Sequence, residues 1–225
     1  MSINSSLIQG IRNRLGSAVN IGVTTSNATS DLFEFYIFSI IIKAAENEGA
    51  NVYYEDIFER NTNHLIFRQS PGQIYWNTQP FTHAVLNFGN NKPLLEVHIG
   101  IKVKGQAQVA QECDVCVLYQ EEASRCRRKR EQPRSSKVLI VAECKHYSSD
   151  LPLHLARSFI GLNSTLTRLE GDCYFVSNNT SKNVIKLLAN KPHKWAHYIV
   201  PGKTNNLNKL MYAFQVNFQD FKARY

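Results

Sequence analysis

Three charged residues interrupt apolar runs in this chain of 225 residues. Asp114 lies inside ECDVCVL, and Glu143 and Lys145 end VLIVAECK. An unpaired charge taken out of water costs on the order of several kcal/mol, so a charge in a buried strand calls for a reason. Residues two apart on an extended chain project from one face, which puts Glu143 and Lys145 together. If the strands around 112–119 and 138–145 are neighbours, Asp114 lies beside that face. Two carboxylates and one ammonium then converge. Clustered carboxylate oxygens suit Mg²⁺ or Mn²⁺, which prefer hard oxygen ligands. The lysine would balance charge and hold a nucleophilic water or a phosphate oxygen. The plainer alternative is a surface ion pair at a strand end, with Asp114 an exposed edge-strand acid.

The elements that must position these groups follow from periodicity. Residues 1–30 read as an extension, with a short amphipathic helix around Leu7, Ile8, Ile11 and Leu15, then a loop. Asp31–Glu48 reads as a helix, with Asp31 as its cap, Glu34 at capping-box spacing and Gly49 as its stop. Its β-branched Ile40, Ile41 and Ile42 argue weakly against a helix. Ile37, Phe38, Ile41 and Ile42 follow Glu34 at i+3, i+4, i+7 and i+8, placing Glu34 on the apolar face. A carboxylate there needs a cation or a water network; a first-turn charge that favours the helix dipole is the alternative. Residues 51–93 alternate short apolar runs with turn signals, including Gly89-Asn90-Asn91. Residues 94–104 alternate almost perfectly. That predicts a half-buried strand with Leu95, Val97, Ile99, Ile101 and Val103 on one face, and Glu96, His98, Gly100, Lys102 and Lys104 on the other. His98 reads as structural rather than ligating. A hairpin partner follows at 112–119. The unbroken apolar run 138–144 predicts a central strand. A helix over 152–169, a strand at 173–177, a helix at 181–190, a strand at 196–200 and a C-terminal helix within 203–225 complete one domain. The fold class is α/β, a central mixed sheet flanked by helices in the order α-β-β-β-α-β-α-β.

An Asp, a spacer of tens of residues, then Glu-x-Lys on the next strand resembles the signature of the PD-(D/E)XK nuclease superfamily, the restriction-endonuclease-like fold. Here it reads Asp114, then Glu143-Cys144-Lys145, with Glu34 matching the acid of that family's first helix. The order of elements over 31–200 matches as well. Cys113 stands where the family pattern has proline, and the 120–137 insert is long; neither removes a catalytic group. The resemblance implies a metal-dependent DNA nuclease, an endonuclease in restriction, repair or mobile-element processing. It implies that Asp114, Glu143 and the Cys144 carbonyl hold Mg²⁺ or Mn²⁺, that Lys145 orients the attacking water and stabilises charge, and that Glu34 holds a second metal or an outer-shell water. Cutting both strands takes two active sites, which is compatible with a homodimer.

Lys plus Arg number 26 against 18 Asp plus Glu, a net charge of +8. That excess favours a polyanionic partner, DNA or else RNA. Six of those charges fall in 125–137, RCRRKREQPRSSK, with seven basic residues and one acid. The insert shows no periodicity and reads as a mobile basic arm. Arg125, Arg127, Arg128, Lys129, Arg130, Arg134 and Lys137 are candidate phosphate contacts, as are His146 and Arg157, with Tyr147 and His154 beside them. Cys113-x-x-Cys116, with Cys126 and Cys144, could be read as a zinc set. Residues three apart on a strand point to opposite faces, so small buried thiols are the preferred reading. No run of 18 apolar residues occurs, so no membrane span is expected. The start lacks the apolar core of a secretory signal, so a cytoplasmic location is expected and the Asn-x-Ser/Thr triplets at Asn27, Asn163 and Asn178 are chance matches. Two rivals remain: a non-catalytic nucleic-acid-binding module of the same fold, and an assembly subunit whose basic segment binds a partner.

Overall fold

The structure, a computed structural model, describes every residue except 1, 90, 167, 168 and 191. Its frame is a seven-stranded sheet in the order β2-β4-β5-β6-β7-β8-β9. The strands are β2 (Asn51–Asp56), β4 (Thr82–Asn87), β5 (Leu95–Lys104), β6 (Ala110–Tyr119), β7 (Val138–Lys145), β8 (Asp172–Ser177) and β9 (Lys194–Ala196). Neighbours are antiparallel from β2 to β7 and parallel from β7 to β9. A second, two-stranded parallel sheet pairs β1 (Asn20–Ile21) with β3 (His64–Leu65). The mixed α/β class expected from the sequence is therefore present, with additional strands.

Helices cover both faces of the large sheet. One apolar layer contains α1 (Ile3–Leu15), α2 (Thr29–Asn47) and α6 (Thr204–Arg224); the other contains α3 (Gln120–Lys129), α4 (Leu153–Thr165) and α5 (Lys182–Ala189). The amphipathic stretch at the N-terminus packs as read, with Leu7, Ile8, Ile11 and Leu15 buried against α2. Helix α2 starts two residues earlier than its sequence suggested. Asp31 thus lies in the first turn, where its charge meets the helix dipole, and makes no cap. Ile40, Ile41 and Ile42 are all fully buried. Apolar burial of about 1.5–3 kcal/mol per side chain outweighs a β-branched penalty of a few tenths. The helix expected over 152–169 ends at Thr165, and its expected extent overlaps two positions outside the described residues. The expected turn at 89–91 includes another such position. The last expected strand, at 196–200, instead spans Lys194–Ala196.

Two expectations need correction. The 120–137 insert is not a mobile arm: its first ten residues form α3, a helix ion-paired to the sheet through Arg127 and Glu96. Strand β5 is not half-buried, and it changes face midway. Leu95, Val97 and Ile99 enter the α2 layer, whereas Ile101 and Val103 enter the opposite layer. Gly100, between them, has φ +62°, a left-handed conformation that L side chains rarely adopt. Its carbonyl accepts from the Gly72 amide at 2.9 Å, and the Gly72 carbonyl accepts from Lys102 at 3.1 Å, so a loop takes over where β4 has stopped pairing. The strict alternation in the sequence hid this twist. Glu96 and His98 are consequently buried, not solvated.

Candidate active site

The site arises where two central strands part. Paired residues of β6 and β7 run from Leu118/Val138 to Val115/Ala142 and then stop. One residue further along β6 is Asp114, 5% exposed. Its carboxylate takes the place of the missing ladder: Oδ2 accepts the Cys144 amide at 2.7 Å. Glu143 and Lys145 flank Cys144 and share one face, as their spacing requires. Lys145 Nζ lies 2.7 Å from Glu143 Oε1 and 3.0 Å from Asp114 Oδ2. One ammonium therefore bridges two carboxylates, both largely buried. Strand β7 stays paired with β8 through Lys145/Ser177, which keeps this end rigid. The chain beyond is pinned by Asn178, whose side chain accepts the Tyr147 amide and donates to the Tyr147 carbonyl.

Glu34 approaches from α2, and the structure brings it into the electrostatic reach of this group. Burial, then the Asp114 charge, push its carboxyl up to about 9 against the pull of Lys145. Burial and Asp114 likewise push Glu143 up to about 7. Glu112, two residues before Asp114, is raised for the same two reasons. Burial works against the Lys145 ammonium, but the Asp114 and Glu143 charges outweigh it, and its pKa rises. Asp114 and Glu143 thus share Lys145, Glu34 adds its carboxyl from α2, and Glu112 also feels Lys102. That excess of negative charge in a partly dry site fits a divalent cation by donor type: the side-chain ligands available are hard carboxylate oxygens. Glu112 was missed in the sequence because it opens its strand, where an acid reads as ordinary.

The candidate phosphate contacts divide. Arg127 is buried; its guanidinium donates twice to Glu96, at 2.7 and 2.8 Å, and again to Glu59. Arg125 and Arg134 both hold Glu122, and Arg125 also holds Glu131. Those three arginines anchor α3 and the segment after it, and do not form a free arm. Lys137 lies over the Tyr119 ring and Arg130 over Tyr75. Arg128, Lys129 and Arg157 are exposed. His146 packs its ring edge against Phe33, the neighbour of Glu34; burial lowers its pKa, and its Nε2 has no hydrogen-bond partner.

Cys113, Cys116, Cys126, Cys144 and Cys173 are all buried free thiols. Among the described residues the cysteines form no metal-ligating group. Cys113 and Cys116 both enter the α4 layer, contrary to the alternation argument, whereas Val115, two residues from Cys113, enters the opposite one. His98 is drawn into a buried cluster with His83 and Glu96. The sequence placed Glu96 and His98 together on one face of β5 but sent that face to water, and it gave no hint of His83. Among the described residues no helix is long and apolar enough to cross a membrane. No protein-family model matches the chain, and comparison with curated proteins and with solved structures returns no match.

Proposed function

We propose that the chain is a divalent-cation-dependent nuclease that hydrolyses phosphodiester bonds in DNA, with a restriction-endonuclease-like arrangement of its sheet. One observation carries this reading: Lys145 Nζ held between Asp114 and Glu143 at the parting of two central strands, with the Glu34 carboxyl on α2 raised by burial and by the Asp114 charge. Asp114, Glu143 and the Cys144 carbonyl would hold Mg²⁺ or Mn²⁺, which supplies Lewis-acid activation of water and charge stabilisation at phosphorus. Lys145 keeps its proton through the neutral range, so its role is that of a fixed positive donor to a phosphoryl oxygen or to the attacking water, not a base. Glu34 holds a proton well above the usual carboxylate range and can exchange it as the charge beside it changes. The net charge of +8 supports a polyanionic substrate.

The test is incubation of the purified protein with supercoiled and linear DNA in Mg²⁺, Mn²⁺ or EDTA. Nicking in either metal, absent in EDTA and lost in Asp114→Asn, is expected. A variant at Asp114 that cleaves at the wild-type rate would sink the assignment. DNA binding without cleavage by the wild-type protein in every metal would indicate a non-catalytic module instead.

A further inference from the structure

A second cluster lies on the sheet away from the parting of β6 and β7, and the nuclease reading makes no use of it. Strands β2, β4 and β5 are neighbours, and their registers align one residue from each. Glu55 lies directly opposite His83. The β4/β5 register pairs Ala84 with Val97, so its next step sets His83 beside His98. Glu96 is two residues before His98 and shares its face. The two imidazoles stack at 4.6 Å between centroids, 18° from parallel. Both Nε2 atoms converge on one carboxylate oxygen: His98 Nε2 is 2.7 Å and His83 Nε2 is 3.5 Å from Glu96 Oε2. His83 Nε2 is also 3.7 Å from Glu55 Oε2.

His83 is 2% exposed, yet its Nε2 has no hydrogen-bond partner, and neither has Glu55 Oε2. A protonated His83 would be drawn to about 2.7–2.9 Å from one carboxylate, the separation of a charge-assisted bond. Instead it stands back from two. Buried polar atoms without partners are uncommon, and two aimed at each other across a gap mark a missing third party. Charge points the same way. Glu59 and Glu96 pair with Arg127, Glu55 faces His83, and Arg68 lines the adjoining small cavity while donating to the Trp76 carbonyl. Three carboxylates against two guanidiniums leave one negative charge before anything binds the imidazoles. Two imidazole nitrogens with carboxylate oxygens form a donor set for first-row divalent metals, Zn²⁺ foremost, and are a poor match for Mg²⁺.

We propose that His83, His98 and Glu96 form the core of a structural Zn²⁺ site beneath α3, and that Glu55, 3.7 Å from His83, turns in on binding to complete it and tie β2 to β4 and β5. The ion enters where His98 Nε2 now meets Glu96, and the neutral imidazole changes tautomer on binding, carrying its proton on Nδ1 while Nε2 takes the ion. Arg127 donates to both oxygens of Glu96, including Oε2, and remains a fixed hydrogen-bonding partner of the ligand, a common arrangement around ligating carboxylates. Burial of all three core ligands leaves no open position for a substrate, which makes the site structural.

The experiment is elemental analysis of the purified full chain, followed by chelation and titration with Zn²⁺ and, separately, Co²⁺. One equivalent of Zn²⁺ per chain is expected, with a higher Tm in Zn²⁺ than in chelator. The visible absorption of four-coordinate Co²⁺ should saturate at the same stoichiometry. His83→Gln and His98→Gln should lose the ion, whereas Asp114→Asn with Glu143→Gln should keep it. If the chelated wild-type chain takes up no Zn²⁺ or Co²⁺ and its Tm does not move, only a proton occupies the gap and the proposal falls. It falls equally if His83→Gln retains one equivalent, or if the Asp114/Glu143 variant is the one that loses it. Because the wild-type titration stands alone, the proposal is tested even if a histidine variant does not fold. Loss of DNA cleavage in the Asp114/Glu143 variant bears only on the nuclease.

Discussion

Glu122 and Glu143 are both buried carboxylates beside cations, and their acidities diverge. Burial pushes each upward. At Glu122 the hydrogen bonds from Arg125 and Arg134, with an amide from the same Arg134, outweigh it and bring the carboxyl to about 2. At Glu143 a single lysine is shared with Asp114, and the carboxyl stands near 7. Glu96, gripped by Arg127, His98 and His83, is likewise held well below the usual range. At Glu122 two guanidiniums serve one acid, and the result fastens α3 to the segment after it. Where β6 and β7 part, the acids outnumber the cation, and the local charge remains open to a further positive ligand. Burial alone does not separate a structural from a functional carboxylate; the ratio of acids to cations does.

The sharpest way to break this comparison is at Arg127. Arg127→Met leaves Glu96, fully buried, without its guanidinium, and should cost about 3–5 kcal/mol of stability by chemical denaturation. If the variant is instead as stable as wild type but binds DNA poorly, Arg127 belongs with the phosphate contacts and the contrast collapses. Lys145→Met should behave differently. Cleavage should fall on the order of 10²–10³-fold, as for loss of one preorganised donor. Stability should fall less than at Arg127, because Glu143 already stands near 7 and can take up a proton when its lysine is gone. A wild-type rate in Lys145→Met would end the proposed chemistry.

Acidity gives a third test. A carboxyl whose folded pKa lies above its unfolded one stabilises the fold below the unfolded value, and that contribution is lost as pH rises through the folded one. For Glu34 the window runs from about 4.5 to about 9, and Glu143 adds to it up to about 7. Glu34→Gln removes the penalty of ionisation. It should therefore raise metal-free stability at pH 8 by about 1–3 kcal/mol, a few degrees in Tm, and change little at pH 4. Equal effects at both pH values would show that Glu34 is not held protonated. Saturating Mg²⁺ should shrink the difference. The smallest effect is expected on the surface. Arg128→Ala with Lys129→Ala should flatten the salt dependence of DNA binding, by about 0.9 in slope for each phosphate that is no longer neutralised. An unchanged slope would place the DNA elsewhere, since Arg125, Arg127 and Arg134 are engaged within the molecule.

What the sequence disclosed followed the strength of local signals. The central strand ending in Glu-x-Lys was legible because the five-residue apolar run 138–142 before it admits few other readings. Period fixed which face Glu143 and Lys145 share, and it placed Glu34 on the inward side of α2. The resemblance supplied the pairing of Asp114 with that strand, which periodicity left conditional. Helix α3 was not legible: Arg-Cys-Arg-Arg-Lys-Arg shows no apolar stripe, and the helix is held to the sheet side by the ion pairs of Arg127 with Glu59 and Glu96, which are set by tertiary structure. The buried histidine cluster was hidden for the same reason. His83 and His98 are fifteen residues apart, and only the strand register brings them together. Gly100 was read as one polar-face residue among others, although its backbone conformation reverses the faces of the strand.

The amide of Cys144 has one further use. In an ordinary ladder its partner would be a peptide carbonyl, whose charge never changes; here it is Asp114 Oδ2. Its proton resonance is thus tied to a carboxylate that pairs with the Lys145 ammonium. A single peak in an amide spectrum, displaced downfield while the carboxylate is free and moving as the carboxylate is engaged, becomes a built-in gauge of the site's occupancy. It would follow the binding of Mg²⁺ and the protonation of the cluster without any substrate, dye or label.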